Sequence, residues 1–136
     1  MRKLAGMRLT PDMMRDYTVD ARISSGFAPT DNAVVRSFLG EKVSGKTMIY
    51  LVLGWAGSDV TANSAGNIAD QQVGFLPEEW RPDETVIGVF DLAGVAKGAV
   101  GVLSSGLVRL QTLSATRTMT FNNTISMSIG WISQNN

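Results

Sequence analysis

Apolar and polar side chains alternate with period two along most of the chain, and that pattern predicts strands. Val19, Ala21 and Ile23 alternate with Asp20, Arg22 and Ser24, as a half-buried strand requires. Residues 33–39 and 47–55 are rich in β-branched, aromatic and aliphatic side chains and predict two more strands. Residues 73–76 and 85–91 follow, separated by a compact segment bounded by Pro77 and Pro82. Residues 98–103 and 107–113 flank Ser104-Ser105-Gly106, which has the length and the glycine of a tight hairpin. The last strand is the cleanest: Ile125, Met127, Ile129 and Trp131 alternate with the small residues Ser126, Ser128 and Gly130. Between residues 57 and 69 the small and polar side chains predict a loop that carries Asp59 and Asn63.

Only the start of the chain departs from this period. Thr10-Pro11-Asp12 supplies a capping hydroxyl, a proline at the first helical position and an acid in the first turn. Met13, Met14 and Tyr17 then share one face, which predicts a short helix over residues 11–17. About eight short strands and one short helix predict an all-β fold, an antiparallel β-sandwich or barrel. Residues 1–17 are expected to serve assembly or attachment, and residues 18–136 to form the sandwich domain.

Composition narrows the function. A chain of 136 residues with 44% apolar and 18% charged side chains suits one folded domain. Its 12 basic and 12 acidic residues give no net charge, which argues against nucleic-acid binding through phosphate contacts. The absence of cysteine excludes disulfides and thiolate metal sites, and the absence of histidine removes the usual general base and the commonest metal ligand. Arg2-Lys3 is followed by no continuous apolar run, and the longest such run, residues 48–56, is about half a membrane-crossing helix. Neither a signal peptide nor membrane insertion is expected.

One motif has the letters of a nucleotide site. Gly40-Glu41-Lys42-Val43-Ser44-Gly45-Lys46-Thr47 fits the phosphate-loop pattern, and Val86-Ile87-Gly88-Val89-Phe90-Asp91 looks like an apolar strand ending in a magnesium-binding aspartate. Such a loop needs a helix opening at Lys46, whereas Met48-Ile49-Tyr50-Leu51-Val52-Leu53 is a good strand and a poor helix. A hairpin loop with Lys46 in solvent is the expectation, and nucleotide binding is the remote alternative. The carboxylates Glu78, Glu79, Asp83 and Glu84 sit around a proline-bounded turn and are read as solvated. Without His or Cys, no partner activates Ser104 or Ser105 in the manner of a triad. Asn122-Asn123-Thr124 fits a glycosylation sequon and is read as turn or strand polar residues. No catalytic residue, cofactor or metal ligand is assigned.

Trp55 precedes the loop that bears Asp59 and Asn63, a combination suited to saccharide: a flat ring covers the sugar's apolar face while carboxylate and amide take its hydroxyls. The competing reading is that Trp55 is core at a strand end. Trp80 and Trp131 are expected in the core or between subunits.

The segment Gly74-Phe75-Leu76-Pro77-Glu78-Glu79-Trp80-Arg81-Pro82 resembles the leucine-proline, two residues, aromatic-arginine-proline turn of bacteriophage tail-fibre and receptor-binding tip domains. The strand over residues 85–91, the hairpin around Ser105-Gly106 and the alternating final strand resemble the same modules. Leu4-Ala5-Gly6-Met7-Arg8-Leu9-Thr10-Pro11 is similar to the openings of phage tail and virion proteins. The resemblance implies an architectural turn, with Leu76 at its start, Pro77 and Pro82 fixing its ends, Trp80 plugging the sandwich and Arg81 held by carbonyls or an acid. It also implies a homotrimer, for which Met13, Met14 and Tyr17 are interface candidates. Glu79 stands where the family often has glycine, so the local turn is expected to differ. The short segment ahead of the first strand points to a small tip, adaptor or decoration subunit.

The expectation is therefore a phage virion protein made in the host cytoplasm. It would be a tail-fibre or baseplate module that grips host-surface saccharide through Trp55, Asp59 and Asn63. A capsid decoration or tail adaptor protein with no ligand is the alternative, and the other partners expected are phage tail or capsid proteins.

Overall fold

Alternation drives the chain into eleven strands within residues 19–132, the part described by the computed structural model. In chain order they are β1 (Val19–Ile23), β2 (Ala28–Pro29), β3 (Ala33–Val43), β4 (Lys46–Trp55), β5 (Val60–Thr61) and β6 (Asn67–Phe75). After a single turn of 3-10 helix, Glu78–Trp80, come β7 (Val86–Leu92), β8 (Ala96–Val102), β9 (Leu107–Thr112), β10 (Thr118–Met119) and β11 (Thr124–Ile132). Nine strands form one sheet in the order β1-β3-β4-β11-β7-β8-β9-β6-β2, and β5 and β10 form a separate ribbon. Neighbouring strands pair antiparallel throughout.

The fold is all-β, as the period implies, but its form is a curled half-barrel sheet rather than two sheets packed face to face. Among the described residues there is no α-helix. The helix predicted over residues 11–17, with Met13, Met14 and Tyr17, lies outside the described residues.

The inner face of the curl carries the core. Phe38, Leu51, Met127 and Phe90 are linked in register across β3, β4, β11 and β7, and all four are buried. Leu53, Leu92, Val100, Leu110 and Ile125 extend the same layer. Burial of side chains of this size stabilises by about 1.5–3 kcal/mol each. Loop residues fill the open side of the curl: Phe27 tilts against Phe38 with ring centroids 5.9 Å apart, and Trp80 lies over Gly40. Met119 of the ribbon is fully buried in the same core cluster.

A bulge at Arg36 in β3 turns its side chain across the sheet. Its guanidinium passes over Gly54 of β4 and donates to Thr124 Oγ1 at 2.6 Å and Asn122 Oδ1 at 2.6 Å. β3 is thereby tied across β4 to the start of β11, nearly ninety residues further along the chain. The sheet's two margins differ: β1 offers five residues that include Asp20 and Arg22, whereas β2 is two residues long and ends in Pro29.

Candidate functional site

The connection from β4 to β6 holds the three residues predicted to meet saccharide. Trp55 closes β4 with its ring inward, at 1% exposure, and its indole Nε1 donates to the Ser58 carbonyl at 2.9 Å. The backbone of Trp55 is bound on both sides by Asn123 and Asn122. The ring thus offers no open face, because it is buried within the core cluster. Asp59 is exposed just before β5. Asn63 follows β5, and its Oδ1 accepts from Ala65 N at 2.9 Å and Asn67 N at 3.0 Å, which shapes the loop. The loop brings Asp59 and Asn63 to the surface on either side of β5 and leaves Trp55 behind them in the core.

The proline-bounded turn, by contrast, brings its residues together. Leu76, Trp80 and Pro82 are buried. Trp80 N donates to Pro77 O at 2.9 Å, closing the 3-10 turn. Arg81 Nε donates to Leu76 O at 2.9 Å, spanning the turn from end to start. Lys42 reaches over from β3, with Nζ 4.8 Å above the Trp80 ring and donating to Glu79 O at 2.6 Å. Gly106, from the β8–β9 hairpin, sits beneath: its φ is +90°, and a Cβ there would press on Arg81 Cδ at 2.8 Å. Glycine is needed at that position both for the backbone angle and for the close approach. Arg81→Met removes a charged donor and leaves a carbonyl short of a partner. The expected loss is about 1.5–3 kcal/mol in chemical denaturation, and a change below about 0.5 kcal/mol would show that the bond has no net weight.

The phosphate-loop letters fall on an antiparallel hairpin. Gly40 to Val43 belong to β3, Lys46 and Thr47 to β4, and Val43 pairs with Lys46 across the turn at Ser44-Gly45. A strand, not a helix, begins at Lys46, so no fan of free amides faces a phosphate there. Asp91 lies on β7 and its Oδ2 accepts from Gly94 N at 2.8 Å. Glu78, Glu79, Asp83 and Glu84 are exposed, and among the described residues no cluster of three or more acidic side chains is placed to hold a metal ion. Asn123 Oδ1 accepts from Thr120 N at 2.8 Å, so the sequon lies in a tight turn into β11. No helix among the described residues is long and apolar enough to cross a membrane.

The outer face of the sheet also carries large apolar side chains, which alternation alone does not predict. Leu39, Met48, Tyr50, Ile87 and Val89 project from it and are 45–62% exposed. Their signal was present: residues 48–53 and 86–90 are apolar at both parities, which is the pattern of strands covered on both faces. Beside them lie Ser126, Ser128 and Gly130 of β11, and Ile87 extends over Gly101. A groove of about 510 Å³ runs between β1 and β4, bounded by Ile23, Leu39, Met48 and Tyr50. A second hollow continues past Tyr50 and Ser128 to Val89 and Lys97.

No known protein family matches the chain, and no curated protein does.

Proposed function

We propose that the protein is a bacteriophage virion protein without catalytic chemistry, a homotrimeric tail-fibre or baseplate module that attaches to host-surface saccharide. The observation that carries this reading is the locked turn from Leu76 to Pro82. Buried Trp80, the Arg81–Leu76 bond and Lys42 above the ring support an architectural role for the residues that resemble the tail-fibre tip motif. A rigid all-β body that presents loops suits attachment, where weak single sites gain strength from copy number. Asp59 and the free amide nitrogen of Asn63 are the polar groups that this reading assigns to the ligand. The second reading, a capsid decoration or tail adaptor protein with no ligand, is favoured by one observation: the Trp55 ring has no open face.

Immobilised full-length protein on glycan arrays and host cell walls separates the two. The first reading expects binding that rises steeply with surface density and falls severalfold in Asp59→Ala, whose exposed side chain can be removed without disturbing the core. Binding no greater than that of an unrelated protein at the highest density rejects the attachment role in favour of the second reading.

A further inference from the structure

We infer that Phe121 supplies the flat ring of the saccharide site, with Asp59 and Asn122 beside it, and that Trp55 is the buried footing that positions all three. The inference rests on the attachment reading above and deepens it, because the ring that the sequence assigned to the ligand is buried. The ligand class is a pyranose whose apolar side lies on the phenyl ring while its hydroxyls meet a carboxylate and an amide.

A single exposed apolar side chain is ordinary on a folded protein. Phe121 stands apart through its mounting. It is 71% exposed, yet it occupies a turn that is held from three directions. Within the turn, Asn123 N donates to Thr120 O at 3.1 Å and Thr120 N to Asn123 Oδ1 at 2.8 Å. Toward the core, Asn122 N donates to Trp55 O at 2.7 Å and Trp55 N to Asn123 O at 2.9 Å. From the side, Arg36 donates to Asn122 Oδ1 at 2.6 Å, and Asn122 adopts a φ of +72°, which asparagine tolerates. Asp59 is mounted on the same tryptophan, since the carbonyl of its neighbour Ser58 accepts from the Trp55 indole Nε1 at 2.9 Å. Val60 pairs with Met119, so Asp59 enters the β5–β10 ribbon at the end where Thr120 and Phe121 leave it. Paired strands lie about 4.8 Å apart, which sets Phe121 and Asp59 close together at that end.

The unused polar groups at this end are the ones a sugar engages. Among the described residues neither carboxylate oxygen of Asp59 takes a hydrogen bond or an ion pair. Arg36 occupies Asn122 Oδ1, which fixes the amide with its Nδ2 hydrogens free to donate. An acceptor and a donor therefore flank an apolar ring. Arg36 itself is engaged by Asn122 and Thr124, so it orients the amide rather than offering a bare cation. The other exposed side chains at this end, Ser58, Thr118 and Thr120, are small and polar. A protein interface is built round a contiguous apolar centre, which one ring among hydroxyls and amides does not provide. A sugar unit needs no more than that one ring. A ring already fixed by its turn also loses little freedom when a ligand settles on it, which suits a weak site.

The test places the full-length chain and its variants on an array of hexose and N-acetylhexosamine oligosaccharides. Phe121→Ala should bind at least fivefold more weakly than wild type while melting at the same temperature, because the side chain is 71% exposed. Phe121→Leu keeps apolar bulk without a flat ring and should fall with the alanine variant. Phe121→Trp should keep binding, and its added fluorescence should be shielded from acrylamide by the best-bound glycan of the array. Val95→Ala, which removes a side chain 66% exposed between β7 and β8, should bind as wild type does. Binding that survives in Phe121→Ala but is lost in Asp59→Ala ends this inference and leaves the attachment role standing. A leucine variant equal to wild type also overturns it, since stacking would then have no part. So does a change of sedimenting mass in Phe121→Ala, which would make the ring a contact between protein chains. A wild-type chain that binds no glycan removes the attachment role and this inference with it.

Discussion

Replacing Trp55 with alanine should lower the free energy of unfolding by about 3–5 kcal/mol, the usual cost of emptying a buried tryptophan site. The ring is 1% exposed, sits at the end of β4 and is held by its bond to Ser58. That loss is a large part of the about 5–15 kcal/mol that keeps a domain folded. Urea denaturation followed by tryptophan fluorescence checks it: the midpoint should fall with little change in slope. Trp55→Phe should cost less, since most of the ring volume stays and only the indole donor is lost. A Trp55→Ala loss below about 1 kcal/mol would mean that the ring is not core. The consequence for function is direct. Failure of Trp55→Ala to bind saccharide would report unfolding, whereas Asp59→Ala tests the loop without that confusion.

Gly98→Val is expected to be at least as severe. Regular β8–β9 pairing runs from Val100–Leu110 to Val102–Val108. On the other side of Val100, side chains take over: Ala99 N donates to Thr112 Oγ1 at 2.8 Å, and Lys97 N to Ser114 Oγ at 3.0 Å. This irregular stretch brings the Thr112 carbonyl oxygen onto the space that a Cβ at Gly98 would need, with Phe90 ring atoms 2.6 Å away on the same side. A carbonyl in the backbone cannot rotate aside as a side chain can, so β8 and β9 must separate. Overpacking of this kind costs about 1–3 kcal/mol when side chains yield, and more when the backbone must move. We expect about 3 kcal/mol or more, seen as a loss of soluble folded protein or a fall in melting temperature. A melting temperature within a few degrees of wild type would show that the strands part easily there.

Where one face of a strand is apolar and the other polar, the sequence is decisive. β1 and β11 lie within a residue of the bounds that alternation predicts, because residues 19–24 and 125–131 alternate without a break. β6 was predicted too short, since Asn67, Asp70, Gln71 and Gln72 are polar and carry little strand signal. Pairing with β9 holds them extended, and only Val73 and Gly74 of that strand are buried. The two-residue strands β2, β5 and β10 carry no periodicity at all. For the candidate site, the sequence placed an aromatic ring next to Asp59 and Asn63, but spacing carries no information on which way the ring turns. Burial of Trp55 follows from its position at the end of an inward-facing row that starts at Ile49 and passes Leu51 and Leu53. The curl was also hidden, since alternation specifies an inner and an outer face but not whether one sheet bends or two stack.

Pro29 at one rim of the half-barrel has a wider consequence. It has no amide hydrogen to give, and the strand that holds it is too short to template another. At the opposite rim the side chains of Asp20 and Arg22 put charge on the outermost strand. Lateral polymerisation into amyloid-like ribbons is thus blocked at one edge and discouraged at the other. The chain can therefore be concentrated without running on into fibres.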